Sequence, residues 1–331
     1  MYVYISKRNI HFQFFPFILT LVVSYHQPKF CAQPSWNQIS VTFAQRSLSD
    51  SFRTAIFIDR NDTVYIQNSE VAQIKMITKK DASSIMLLPV HIDSHYGSSI
   101  FVTIMNDIYM SNNNEHGEIN RWRSNNETSE FIVSFCSRCS SIFVDIIDNL
   151  YCSMPNYHQV ATKMLRPGLN SLFVVAGVGY PASTNVALNR PKGVFVTINL
   201  DLYVADSENN RIQLFRAGQL TAITVAGTSE TVELYIPTAV TLDADDHLYI
   251  VDSYNNRIVA SNSIGFRCVI GCSPTYAYEW QRLSAPVNMA FDSNGHIYVT
   301  SESTNQRLRK YITATPICSE YNYLLMIIRY L

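Results

Sequence analysis

The sequence predicts an all-β fold: a six-bladed β-propeller of four-stranded antiparallel blades, in which the N-terminal strand completes the last blade. Three observations predict it. A phrase of short apolar strands and polar turns recurs six times, a tyrosine marks the same place in each copy, and the end of the chain lacks a strand that its beginning supplies. The tyrosines are Tyr65, Tyr109, Tyr151, Tyr203, Tyr249 and Tyr298, in steps of 44, 42, 52, 46 and 49 residues. Repeats of this length, with several short strands each, build propeller blades rather than separate globular domains.

The clearest copy runs from Arg190 to Phe215 and returns from Ile236 and from Ala285. Within it Gly193–Thr197 reads as a first strand, Asp201–Ala205 as a second and Arg211–Arg216 as a third, with a fourth at Thr221–Ala226. The alternation of β-branched and aromatic residues with Asn- and Asp-rich turns carries this assignment. Fainter copies precede it around Tyr65, Tyr109 and Tyr151. The last copy ends at Tyr311 without a fourth strand, while Trp36–Ala44 resembles one. Pairing the two closes the ring and removes two exposed sheet edges.

The loop after the second strand has a recurrent composition. Asp206, Asn209, Asn210 and Arg211 return as Asp252, Asn255, Asn256 and Arg257, and in softened form as Ser301, Asn305, Gln306 and Arg307. The Asp is expected to accept backbone N–H groups of its own loop. The two Asn suit left-handed backbone, and the Arg can lie on the Asp or on neighbouring loops. Asp59, Asp145, Asp243 and Asp292 recur just after the first strand. Recurrence at one repeat position points to turn formation rather than to catalysis.

With 25 Lys and Arg against 26 Asp and Glu, the net charge is −1, and charged residues make up only 15% of the chain. That leaves no electrostatic footprint for nucleic acid or an anionic membrane. Lys7 and Arg8 precede an apolar stretch from Ile10 to Val23, too short to span a bilayer comfortably, which reads as a secretory signal cleaved after Ser24. An uncleaved N-terminal anchor is the alternative. Residues 1–24 are thus expected to be a signal peptide, 25–35 a lead-in, 36–318 the propeller and 319–331 a tail too short to cross a membrane. Asn61 and Asn126 lie in glycosylation sequons.

Seven cysteines suit an oxidising compartment. Cys31 and Cys318 bracket the ring and are expected to meet at its seam. Cys268 and Cys272 flank a short turn and can close a small loop. Cys136, Cys139 and Cys152 are three, so one stays free or pairs elsewhere. The pair Cys136 and Cys139 lacks a second pair at zinc-site spacing.

The residues of the recurrent phrase, strongest from Pro191 to Tyr311 and weaker before it, resemble NHL repeats. The segments PKFCAQPSWN, CSRC…LYCSM and GFRCVIGCS further resemble those of extracellular NHL-repeat proteins of invertebrates. That resemblance implies the propeller fold and export, and no assigned activity. One related branch, the peptidyl-hydroxyglycine amidating lyases, implies zinc held by histidines in the central channel. Of the histidines here, His247 and His296 share one repeat position, His116 and His158 fall together in another turn, and His91 and His95 lie between blades. No trio stands out. We therefore expect no catalytic residues, metal or cofactor, and an extracellular module that binds or scaffolds an unknown protein or glycan. The loops Asn112–Gly117 and Met154–His158, which have drifted from the phrase, are candidates for its specificity. The alternative is a metal-dependent lyase or hydrolase using the channel.

Overall fold

The computed structural model describes residues 25–44, 55–68, 73–78, 81–89, 99–112, 115–123, 128–166, 171–272, 283–301 and 308–318. Six four-stranded antiparallel sheets make up almost all of it, with two three-residue 3-10 turns at Pro155–Tyr157 and Ser207–Asn209. In blades 1 to 5 the four strands follow chain order. Their first strands are Ile56–Ile58, Ile100–Val102, Ser141–Val144, Val194–Val196 and Pro237–Leu242; that of blade 6 is Pro286–Phe291. Each first strand touches the next, and blade 6 touches blade 1, so the ring is closed around a central channel.

Blade 6 is composite. Its outer strand is Val41–Ala44, paired antiparallel with Leu308–Tyr311. Short bridges continue this seam at Trp36 with Thr313 and Phe30 with Ile317. Trp36, 4% exposed, packs edge-on against Phe30 and Tyr249 and donates its indole N–H to Gly295 O at 2.9 Å. An amphipathic ring with its polar tip satisfied is what a buried Trp requires. Cys31 and Cys318 are joined beside these contacts.

Short, nearly continuous apolar runs explain the core. The first and second strands of a blade are buried on both faces, as in Leu248–Asp252, where all five residues are buried. Outer strands such as Leu172–Ala176 are exposed along most of their length. Disulfides also join Cys139 to Cys152 and Cys268 to Cys272, leaving Cys136 as an exposed free thiol.

In blades 3, 4 and 5 a glycine follows the fourth strand (Gly177, Gly227, Gly271), where a Cβ would stand 2.2–2.3 Å from the carbonyl oxygen of His158, Asn210 or Asn256. In blade 2 Gly117 itself holds the second-loop position, where a Cβ would meet Ser137 O, and Cys136 has a φ of 60° two residues after the fourth strand. The structure therefore predicts one reactive thiol per native, unreduced chain in a thiol titration, lost in Cys136→Ser; a count of zero or three contradicts the pairing.

Candidate functional site

The first turn, between strands one and two, is built alike in four blades. Asp59 Oδ1 accepts the N–H groups of Asn61 and Thr63, and Oδ2 accepts the Tyr65 hydroxyl at 3.1 Å. Asp145, Asp243 and Asp292 repeat this with Tyr151, Tyr249 and Tyr298 at 3.1–3.3 Å. The marker tyrosine of the repeat is thus the donor that ties the second strand to the turn. Burial first, and then the facing carboxylate, pushes these four phenols up, so they remain protonated donors at neutral pH. In blades 2 and 4 a threonine stands in for the Asp: Thr103 and Thr197 accept the N–H of Asp107 and Asp201 through Oγ1. The recurrent carboxylates are therefore spent on turn geometry in separate blades.

The second loop uses its residues somewhat differently from the sequence expectation. Asp206 accepts a backbone N–H from Asn189 at 2.6 Å, in the connection that enters the blade, and not from its own loop. Its Oδ2 accepts from Asn209 Nδ2 and Arg211 Nε at 2.9 and 2.7 Å. Asp252 does the same with Tyr235, Asn255 and Arg257. Only the second Asn of each pair is left-handed: Asn210 and Asn256 both have φ 54°. Asn209 and Asn255 act through their side chains instead. Arg211 also reaches the carbonyls of Ser183, Thr184 and Ala187. Burial lifts the Asp206 carboxyl above the usual carboxylate range, against the bonds that hold it. Asn210 and Asn256 accept the N–H of Ile236 and Ala285, latching each loop to the connection into the next blade. Arg307 and its neighbours Asn305 and Gln306 lie outside the described residues, as do Asn126, His91 and His95. Asn61 is exposed in the first turn of blade 1.

The described histidines serve the same scaffold. His158 stands at φ 52° where Asn210 stands in blade 4, and its Nδ1 accepts the Arg190 N–H. His116 falls one residue earlier; Gly117 holds the left-handed position there. His247 Nδ1 lies 3.1 Å from Asp243, and His296 Nδ1 accepts the Thr313 N–H. Among the described residues no group of three or more His, Cys, Asp or Glu is placed to hold a metal ion.

The two faces of the ring differ. The segment Tyr25–Cys31 crosses the first-turn face as a strap. Tyr25 enters the channel and donates to Val196 O, His26 meets Asp62 in blade 1, and Lys29 meets Asp245 in blade 5. The strap ends at the Cys31–Cys318 bridge. No local pattern around Tyr25 announced this. The opposite face carries the second loops and the connections between blades. Four tyrosines there are at least half exposed: Tyr157, Tyr180, Tyr235 and Tyr254. Tyr235 and Tyr254 stand edge to face with centroids 5.2 Å apart, fixed by a backbone bond from Tyr254 N–H to Tyr235 O.

The family model of the NHL repeat matches residues 188–215 and 234–260, which cover the first, second and third strands of blades 4 and 5. The chain is a six-bladed propeller with NHL repeats in blades 4 and 5. No curated protein matches its sequence. Among solved structures, this NHL-repeat propeller is similar to an inactive variant of virginiamycin B lyase from Staphylococcus aureus, with TM-score 0.58, 13% identity, and 85% and 99% of the two chains covered. It is similar to a gluconolactonase from Xanthomonas campestris, with TM-score 0.59, 14% identity, and coverage of 90% and 99%. An auxiliary nutrient binding protein from Bacteroides ovatus matches with TM-score 0.62, 12% identity, and coverage of 88% and 76%. At these identities the likeness is one of fold; enzymes and a binding protein share it.

Proposed function

We propose that this propeller is a secreted, non-catalytic module that binds or scaffolds a protein or glycan through its loop face. The observation that carries this reading is the exposed tyrosine set on that face, opposite a face already covered by the strap. Tyrosines supply large contact area at low entropic cost and present both a flat apolar ring and a hydroxyl, which suits protein and sugar surfaces alike. The recurrent carboxylates Asp59, Asp145, Asp243 and Asp292 of the first turns and Asp206 and Asp252 of the second loops, by contrast, are each bonded to groups of their own blade or the connection into it. Export is supported by the basic start and apolar stretch of residues 1–24 and by three disulfides, which are the chemistry of an oxidising environment. Among the described residues no helix is long and apolar enough to cross a membrane. Asn61 is the glycosylation site we propose within the described chain.

The test is binding of the purified chain to a glycan array and to a panel of extracellular proteins. Tyr235→Ala with Tyr254→Ala should weaken the partner found by at least tenfold, the scale of one or two lost anchors, with an unchanged melting midpoint. Lys29→Ala on the strapped face should leave the affinity as it was. If the double variant binds like the parent, the loop face is not the site.

A further inference from the structure

The channel holds an irregularity that the repeat makes visible. One position of each first strand stands opposite the marker tyrosine of the second strand. Phenylalanine fills it in blades 1 to 4, at Phe57, Phe101, Phe143 and Phe195. In blades 5 and 6 the same position holds Thr241 and Ala290. The four phenyl rings follow one another around the channel with centroids 5.0, 4.9 and 5.3 Å apart. Tyr25 packs into this arc, 5.4 Å from both Phe143 and Phe195. The aromatic wall is therefore one-sided. The four phenylalanines are buried, while Thr241 and Ala290 retain exposure to the interior space.

A cavity of about 100 Å³ occupies the channel, lined by this arc, by Thr241 and Ala290, and by Tyr25 and His26 at the strapped end. Ser99, Ser141 and Asn288 line its other end. Ser99 Oγ and Ser141 Oγ each accept one backbone N–H, from Ile142 and Val194, which leaves each hydroxyl proton to donate. No Asp, Glu, Lys or Arg lines the space, so a charged guest would lose its hydration without a countercharge. An apolar cavity of ~150 Å³ takes up benzene, so this smaller space holds at most one small ring or branched alkyl group, with any substituent extending toward the loop face.

We propose that the channel is a blind binding site for a small neutral molecule with one apolar ring and a hydrogen-bond acceptor. The ring lies against the phenylalanine arc in the space left by Thr241 and Ala290, and the acceptor oxygen meets Ser99 or Ser141. Tyr25 and the strap close the floor, so entry is from the loop face. This site goes beyond the proposed loop-face binding and stands independently of it.

Acetophenone, a ring bearing one carbonyl acceptor, is the probe. Titrated calorimetrically into the full secreted chain, it should bind saturably at one site per chain. Ala290→Phe restores the residue that blades 1 to 4 carry and should weaken binding at least tenfold. Thr241→Phe gives the same reading if the first variant fails to fold. Ser99→Ala with Ser141→Ala should weaken acetophenone about two- to tenfold, the range of one lost neutral hydrogen bond, and leave ethylbenzene unaffected. Tyr235→Ala with Tyr254→Ala should leave acetophenone binding unchanged, which separates this site from the loop face. Absence of saturable binding to the parent chain, or undiminished binding to a folded phenylalanine variant, overturns the proposal.

Discussion

Replacing Cys31 and Cys318 together by serine should destabilise the ring by about 5 kcal/mol. The two residues are 287 apart in sequence, and the chain-entropy account gives close to that figure for so long a loop. At a few degrees per kcal/mol for a domain of this size, the melting midpoint should fall by roughly 10 °C or more. The matched control is Cys268→Ser with Cys272→Ser, whose separation is only 4 and whose removal should cost about 2 kcal/mol. The comparison is made by thermal unfolding without reductant. If both pairs cost the same, the antiparallel pairing of Val41–Ala44 with Leu308–Tyr311, together with Trp36, closes the ring without covalent help.

Asp206→Ala should cost about 3–5 kcal/mol. The carboxylate is fully buried and receives Asn189 N–H, Asn209 Nδ2 and Arg211 Nε, so its removal strands a mostly buried guanidinium and a backbone donor. Breaking one side of a buried ion pair carries a penalty of that size, whereas an exposed pair is worth about 1 kcal/mol or less. The nearby Arg190–Glu208 pair, with both side chains about half exposed, supplies the contrast. Glu208→Ala should therefore shift stability by under ~1 kcal/mol. Chemical denaturation of the two variants decides the matter. Asp206→Ala together with Arg211→Ala should recover part of the loss, since no charge is then left alone. A loss for Asp206→Ala no larger than that for Glu208→Ala would mean that water replaces the carboxylate.

The ring was legible because each blade solves the same local problem with the same residues. Tyr249 and its five equivalents mark the second strands, and Asp243 and its equivalents mark the first turns; both roles are completed within six residues of sequence. The completion of blade 6 was legible as well, from a missing strand at one end and a spare one at the other. What sequence spacing could not show was contact between segments far apart in the chain. Asp206 was assigned to its own loop, yet its backbone partner is Asn189, 17 residues upstream, because the connection into the blade passes over that loop. The placement of Tyr25 depends on a path across three blades that no periodicity encodes. The gap at Thr241 and Ala290 could have been found by aligning the six first strands, since it breaks a column that is otherwise phenylalanine. The exposed tyrosines had no such signal, because Tyr is also the residue of the buried marker position.

The meeting of Cys31 and Cys318 has a consequence for how the polypeptide can be ordered. Their Cα atoms are 5.0 Å apart, little more than the ~3.8 Å between neighbours across a peptide bond. The backbone from one to the other is a circle in all but one link, and its six blades have no obligatory beginning. A circular permutant joined across these two positions and opened between blades 3 and 4 would contain the same six sheets and lack only the strap Tyr25–Phe30 among the described segments. The present order of the blades is one of several ways to write the same ring.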